Sequence, residues 1–383
     1  MDTAAGLWQK VRVKFPAISD GPPAQPAVDF AGQNRSGNLA WLDLVRGVAA
    51  LMVMMSHLRG FFFVKWSDLE PASQTSVNFL LFFITRLGRE AVVVFFVLSG
   101  YLVGGNALSK YMKGGFVIRD YWAHRLARLY TVLIPALALT ALLDLGRFYV
   151  LGNTDVALNL GWRVLLGNLF FLQNVTTPTF GSDSPLWSLS YEFWFYLVWG
   201  CLLCSLNLRI PRFWRMASGL IIIFSLGVMW PDILAYLPMW CLGVVIKIYP
   251  IRIKPGLGWV VMLFCLACLV ISNRFLNVWG DYLLAASIGL VIMWLVNRDM
   301  KFKWLKAVAH FTANISYTTY SMHFPVVAFV LAWLLPHRLK AASFQNWLIY
   351  LSLLLAIYFI CWLLYLCFER HTGKVRKWLE AKL

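Results

Sequence analysis

The chain has 383 residues, 60% of them hydrophobic and only 13% charged, with a mean hydropathy of +0.68. Soluble domains carry about 25% charged residues, so this composition argues against a soluble globular protein. The net charge of +17 fits nucleic-acid binding, contact with anionic lipid, or the orientation of a membrane protein, and the distribution of the basic residues favours the last.

Residues 1–41 hold Pro22, Pro23, Pro26, Gly6, Gly21, Gly32 and Gly37, which predicts a loosely ordered cytoplasmic tail without a cleavable signal. Apolar runs then place spans near 42–62, 90–108, 129–149, 186–206, 217–230, 233–248, 256–272, 279–296, 315–335 and 347–368. Residues 164–172 are too few to cross a bilayer and read as a re-entrant or interfacial helix. The expected fold is all-α: a polytopic bundle of about ten transmembrane helices plus that one short helix. Residues 369–383 read as a basic cytoplasmic tail.

A cytoplasmic start puts 24 of the 34 basic residues in inward segments. An eleventh crossing at 164–172 would turn Arg209, Arg212 and Arg215 outward, against the positive-inside rule. Both termini are therefore expected in the cytoplasm, and no block of charge supports nucleic-acid binding. The seven cysteines lie in or beside apolar runs and read as packing residues. Cys201 with Cys204 and Cys265 with Cys268 lack accompanying ligands, so no metal site is expected.

Ionisable residues inside apolar spans are expensive unless they face the protein interior. The first span carries Asp43, Arg46, His57 and Arg59. Asp43 and Arg46 are three positions apart and can pair. His57 lies eleven residues beyond Arg46, near three whole turns and about 16 Å along the axis. Those three residues form one polar column, although a structural ion pair and a buried histidine would look the same. Ser99 follows the apolar run Val92–Leu98. Glu192 is the sole acid of its span, at a depth similar to that of His57, with Arg86, Arg89 and Glu90 as weaker competitors. The ninth span opens on Ser316–Ser321 and reaches His323, and Tyr320 lies on the same segment. Arg125 and Arg128, one turn apart, read as a topology signal that is also able to hold a phosphorylated ligand by bidentate contacts. His310, His337 and His371 read as incidental.

The segments LDLVRGVAALMVMMSH (Leu42–His57), GREAVVVFFVLSGYLVGG (Gly88–Gly105), WSLSYEFWFY (Trp187–Tyr196), HRLARLYTVLIP (His124–Pro135) and ISYTTYSMHFPV (Ile315–Val326) resemble, in order, the motifs of the acyltransferase 3 family. Arg46 and His57, with ten residues between them, match its principal signature. His124 departs from the arginine common at that position, which leaves Arg125 and Arg128 as the donor contacts. Relatives sometimes carry a hydrolase-like domain after the membrane part; here the transmembrane unit, 42–368, is expected alone.

The resemblance implies an integral enzyme of the bacterial inner membrane that moves an acyl group, often acetyl, from cytoplasmic acyl-coenzyme A to a hydroxyl of an envelope carbohydrate or lipid-linked sugar. Acyl-coenzyme A is then a co-substrate, with no permanently bound cofactor. A hydroxyl nucleophile needs a base, and neutral histidine suits the task. His57 is the expected base, with Glu192 fixing its tautomer. Arg46, set by Asp43, is expected at the donor's phosphates or pantetheine carbonyls. His323 and Tyr320 are expected to line the cavity or donate to the thioester oxygen, and Ser99 or His57 is a candidate acyl carrier. A transporter or flippase is the competing class, though no paired interrupted spans mark one.

Overall fold

The computed structural model describes residues 37–382 apart from 153–158, 230, 276 and 335–340. The expected N-terminal tail thus lies outside the described residues up to residue 36. Helices follow in the order α1 (Gly37–Phe62), α2 (Ser76–Thr85), α3 (Gly88–Ser99), a π-helical turn (Gly100–Gly104), α4 (Gly105–Met112) and α5 (Ile118–Tyr149). Then come α6 (Trp162–Leu169), α7 (Trp187–Leu206), α8 (Arg212–Val228), α9 (Pro231–Ile248), α10 (Gly258–Phe275) and α11 (Val278–Leu295). The last are α12 (Lys303–Asn314), α13 (Ser316–Leu334), α14 (Phe344–Cys367) and α15 (Thr372–Lys382). Among the described residues there is no strand, and Gln173 and Thr177 form an isolated bridge.

Among the described residues, eight helical stretches are long and apolar enough to cross a membrane, and nine if α12 and α13, bent by 55°, form one span. The fifth expected crossing, 217–230, falls on α8. Its 17 residues reach about 26 Å, a few Å less than a hydrocarbon core of about 30 Å and enough to cross where the bilayer thins around it. The short helix expected at 164–172 is α6, eight residues long. The loop after it folds onto α7: the Phe171 carbonyl accepts from Ser190 Oγ at 2.7 Å and Trp194 Nε1 at 3.1 Å. Fully buried Asp183 lies just before α7, and burial pushes its carboxyl well above the usual carboxylate range.

Two elements exceed their expected bounds. The basic segment 118–128 is the first third of α5, which runs 32 residues without interruption. The C-terminal tail forms α15, which packs on α5. There Glu380 pairs with His124 at 3.4 Å and with Arg376 at 3.5 Å, and its carbonyl accepts from Arg119.

α1 packs against α3, α12 and α13, and the main core lies between α3, α5, α7, α9 and α13. Buried apolar area contributes less in lipid than in water, so small residues and backbone proximity matter more. The π-helical turn and α9 approach backbone to backbone at Gly100 and Gly243. A Cβ on Gly100 would lie 1.8 Å from the Trp240 carbonyl oxygen, and one on Gly243 would lie 2.1 Å from that of Val97. Gly100→Ala is expected to cost about 1–3 kcal/mol of stability, because two backbones must separate, and its thermal unfolding in detergent checks this.

Candidate active site

One face of α1 carries Asp43, Arg46 and His57 inward. Arg46 Nη2 donates to Asp43 Oδ1 at 3.3 Å and to the Ala313 carbonyl at 3.1 Å. Ala313 lies in the last turn of α12, where carbonyls have no intrahelical partner and a cation is favoured. The expected pair of Asp43 with Arg46 is therefore formed. It has a third member: His310 Nδ1 is 2.9 Å from Asp43 Oδ2, so this histidine is not incidental.

At the other end of the column His57 meets His323, which is fully buried on α13. His57 Nδ1 and His323 Nε2 are 2.8 Å apart, and the rings stack at 5.1 Å with planes 16° apart. His323 Nδ1 faces two acceptors, the carbonyls of Thr319 at 2.7 Å and Tyr320 at 3.0 Å. Only a protonated Nδ1 satisfies them, which leaves His323 Nε2 as an acceptor. His57 must then carry its proton on Nδ1, and its Nε2 keeps a lone pair. Phe324 closes the edge of both rings.

Glu192 is not the partner of His57, contrary to expectation. Its Oε1 accepts from Ser99 Oγ at 2.7 Å and from the Tyr196 hydroxyl. Trp240 Nε1 donates to Ser99 Oγ at 3.1 Å. Similar depth on two helices does not make two side chains face each other: α13 carries His323 to His57, whereas α7 turns Glu192 toward α3 and α9. The π-helical turn directly after Ser99 is a feature that recurs at functional sites.

Arg125 and Arg128 enter the bundle on α5 and rest on tyrosines of different helices. The Arg125 guanidinium lies 5.7 Å from the Tyr196 ring and that of Arg128 lies 5.0 Å from the Tyr317 ring. Glu369, just after α14, reaches the same region: its Oε2 accepts from Thr318 N at 2.9 Å and Thr318 Oγ1 at 2.6 Å. It thereby caps the first turn of α13, where backbone donors are otherwise unpaired. Tyr320 points elsewhere, with its hydroxyl 2.5 Å from Ser188 Oγ and 3.4 Å from the Pro185 carbonyl.

Two of the weaker competitors, Arg89 and Glu90, form a separate clamp. Arg89 pairs with Asp281 at 2.8 Å and donates to the Ser272 carbonyl at 2.6 Å, while Glu90 accepts from Asn273 at 3.2 Å. These contacts tie α3 to α10 and α11.

Sequence reasoning missed Tyr196, Tyr317, Trp240, His310 and Glu369. Glu369 did carry a signal, since it is the sole acid between Asp299 and Glu380 and stands at the end of the last span. The tyrosines and Trp240 sit among the chain's 16% aromatic residues and carry none.

The family model for an acyltransferase domain matches residues 39–366. The chain is 30% identical over 182 residues to the acyltransferase MdmB of Streptomyces mycarofaciens, covering 46% of this chain and 42% of that protein. It is 28% identical over 177 residues to the O-acetyl transferase of Shigella phage Sf6, covering 43% of this chain and 46% of that protein. The chain thus spans less than half the length of these relatives. No solved structure matches at a significant level.

Proposed function

Because the chain belongs to the acyltransferase 3 family, we propose that it transfers an acyl group, acetyl in the simplest case, from acyl-coenzyme A to a hydroxyl of an envelope carbohydrate or glycolipid. The excess of basic residues in alternate loops supports both termini in the cytoplasm of a bacterial inner membrane. The donor then enters at the Arg46 end and the acceptor reaches the His57 end, about 16 Å further along α1.

The observation that carries this reading is the hydrogen-bond chain from His57 through His323 to the Thr319 carbonyl. It presents His57 Nε2 as a base of defined tautomer. The acceptor oxygen attacks the thioester carbonyl as Nε2 takes its proton. The C–S bond then breaks, and the departing thiolate recovers that proton from the imidazolium as coenzyme A. His323 accepts from Nδ1 throughout and shares the positive charge, the orienting task that a carboxylate performs in serine-hydrolase triads. Arg46, Arg125 and Arg128 offer positive charge to the donor's phosphates, with Asp43 holding Arg46. Ser99 and Glu192, joined at 2.7 Å, add polar groups for the donor.

Purified protein in lipid vesicles, given acetyl-coenzyme A, is expected to release free thiol only when a hydroxylated acceptor is supplied. Mass spectrometry should then find one new ester on the acceptor. Folded protein that releases no coenzyme A with any envelope carbohydrate would end the reading.

A further inference from the structure

Buried polar groups in native proteins nearly always have a hydrogen-bond partner, so each exception needs a reason. Tyr317 is 8% exposed, and its hydroxyl is buried with no partner among the described residues. One turn further along α13, Tyr320 spends its hydroxyl on Ser188 and Pro185. The two tyrosines therefore differ in kind. Tyr320 is a satisfied clamp to the start of α7, while Tyr317 has a donor to give.

Its position is held on two sides. The Arg128 guanidinium lies over the ring at 5.0 Å. The next residue, Thr318, is pinned through both its amide and its hydroxyl by Glu369. Arg125 Nε is a second buried donor without a partner, one turn nearer the Ile118 end of α5.

We propose that the Tyr317 hydroxyl donates a hydrogen bond to a carbonyl of the donor's pantetheine arm, a contact expected from the sequence at Arg46 and not at either tyrosine. This assignment rests on the acyl-coenzyme A reading above. A neutral hydroxyl matches a neutral amide or thioester oxygen. The charged groups of the donor are left to the guanidinium groups of Arg125 and Arg128 on α5.

The test compares wild type with Tyr317→Phe in purified full-length protein, using acetyl-coenzyme A, acetyl-pantetheine and free coenzyme A. Losing an unpartnered hydroxyl should leave ligand-free thermal stability unchanged or raised, which a structural tyrosine would not do. Tyr320→Phe, by contrast, should lower it. The KM of Tyr317→Phe should rise about fivefold for both acetyl donors with kcat nearly unchanged, the size of one neutral hydrogen bond. The thermal shift given by coenzyme A should shrink accordingly. A full coenzyme A shift and an unchanged KM in the variant would overturn the assignment alone. A rise confined to acetyl-coenzyme A would overturn it too, by moving the contact to the nucleotide half. If wild type itself gave neither turnover nor a coenzyme A shift, the donor reading would fall and this assignment with it.

Discussion

His57→Ala is expected to fold, to keep its thermal response to coenzyme A, and to lose about 10²–10⁴-fold in kcat, the range for removal of a positioned general base. The side chain is half-buried against His323 and Phe324, so truncation leaves a small gap but strands no charge. His323→Ala should cost less, because Nε2 of His57 survives while its tautomer and ring orientation are released. In the His57→Ala background the same change should cost almost nothing further, since residues that act as one unit are not additive. Steady-state kinetics on the two single variants and the double variant decide this. Independent, multiplicative losses would separate the two histidines and leave His323 a packing residue.

Arg128→Ala is expected to raise the KM for acetyl-coenzyme A by about 10–100-fold with little change in kcat, the effect of losing a hydrogen bond to a charged group. The same variant should barely change the KM for acetyl-pantetheine, which lacks the nucleotide phosphates. Arg128→Lys should recover only part of the loss, because the planar guanidinium both lies on the Tyr317 ring and presents a two-pronged donor, and an ammonium does neither. A collapse of kcat at constant KM would instead place Arg128 at the reacting carbonyl.

Much of this arrangement is legible in the sequence, because lipid makes polar residues conspicuous. Asp43, Arg46, His57, Ser99, Glu192 and His323 stand out against apolar runs, and the three-residue offset alone pairs Asp43 with Arg46. Partner choice between helices is a different matter. Depth along an axis follows from 1.5 Å per residue, but rotation about that axis depends on which neighbour packs where. His57 and Glu192, matched in depth by residue counting, face different helices. The sharp turn into the ninth span was hidden for a related reason. The 55° bend at Ile315 comes without a proline at the break, and it directs Ala313 to Arg46 and Thr318 to Glu369. Glu369 itself sits in a run of basic residues that hydropathy assigns to a tail, and only its packing reveals an inward direction.

The contact between Glu369 and Thr318 joins residues 51 positions apart, with all of α14 between them. During synthesis α13 enters the bilayer before its cap has left the ribosome, and the first turn, with Tyr317 beside it, stays unanchored until α14 has followed. The Tyr317 end of α13 is thus the last part of the bundle to set, and a nascent intermediate with α13 but without residue 369 lacks the cap on its first turn.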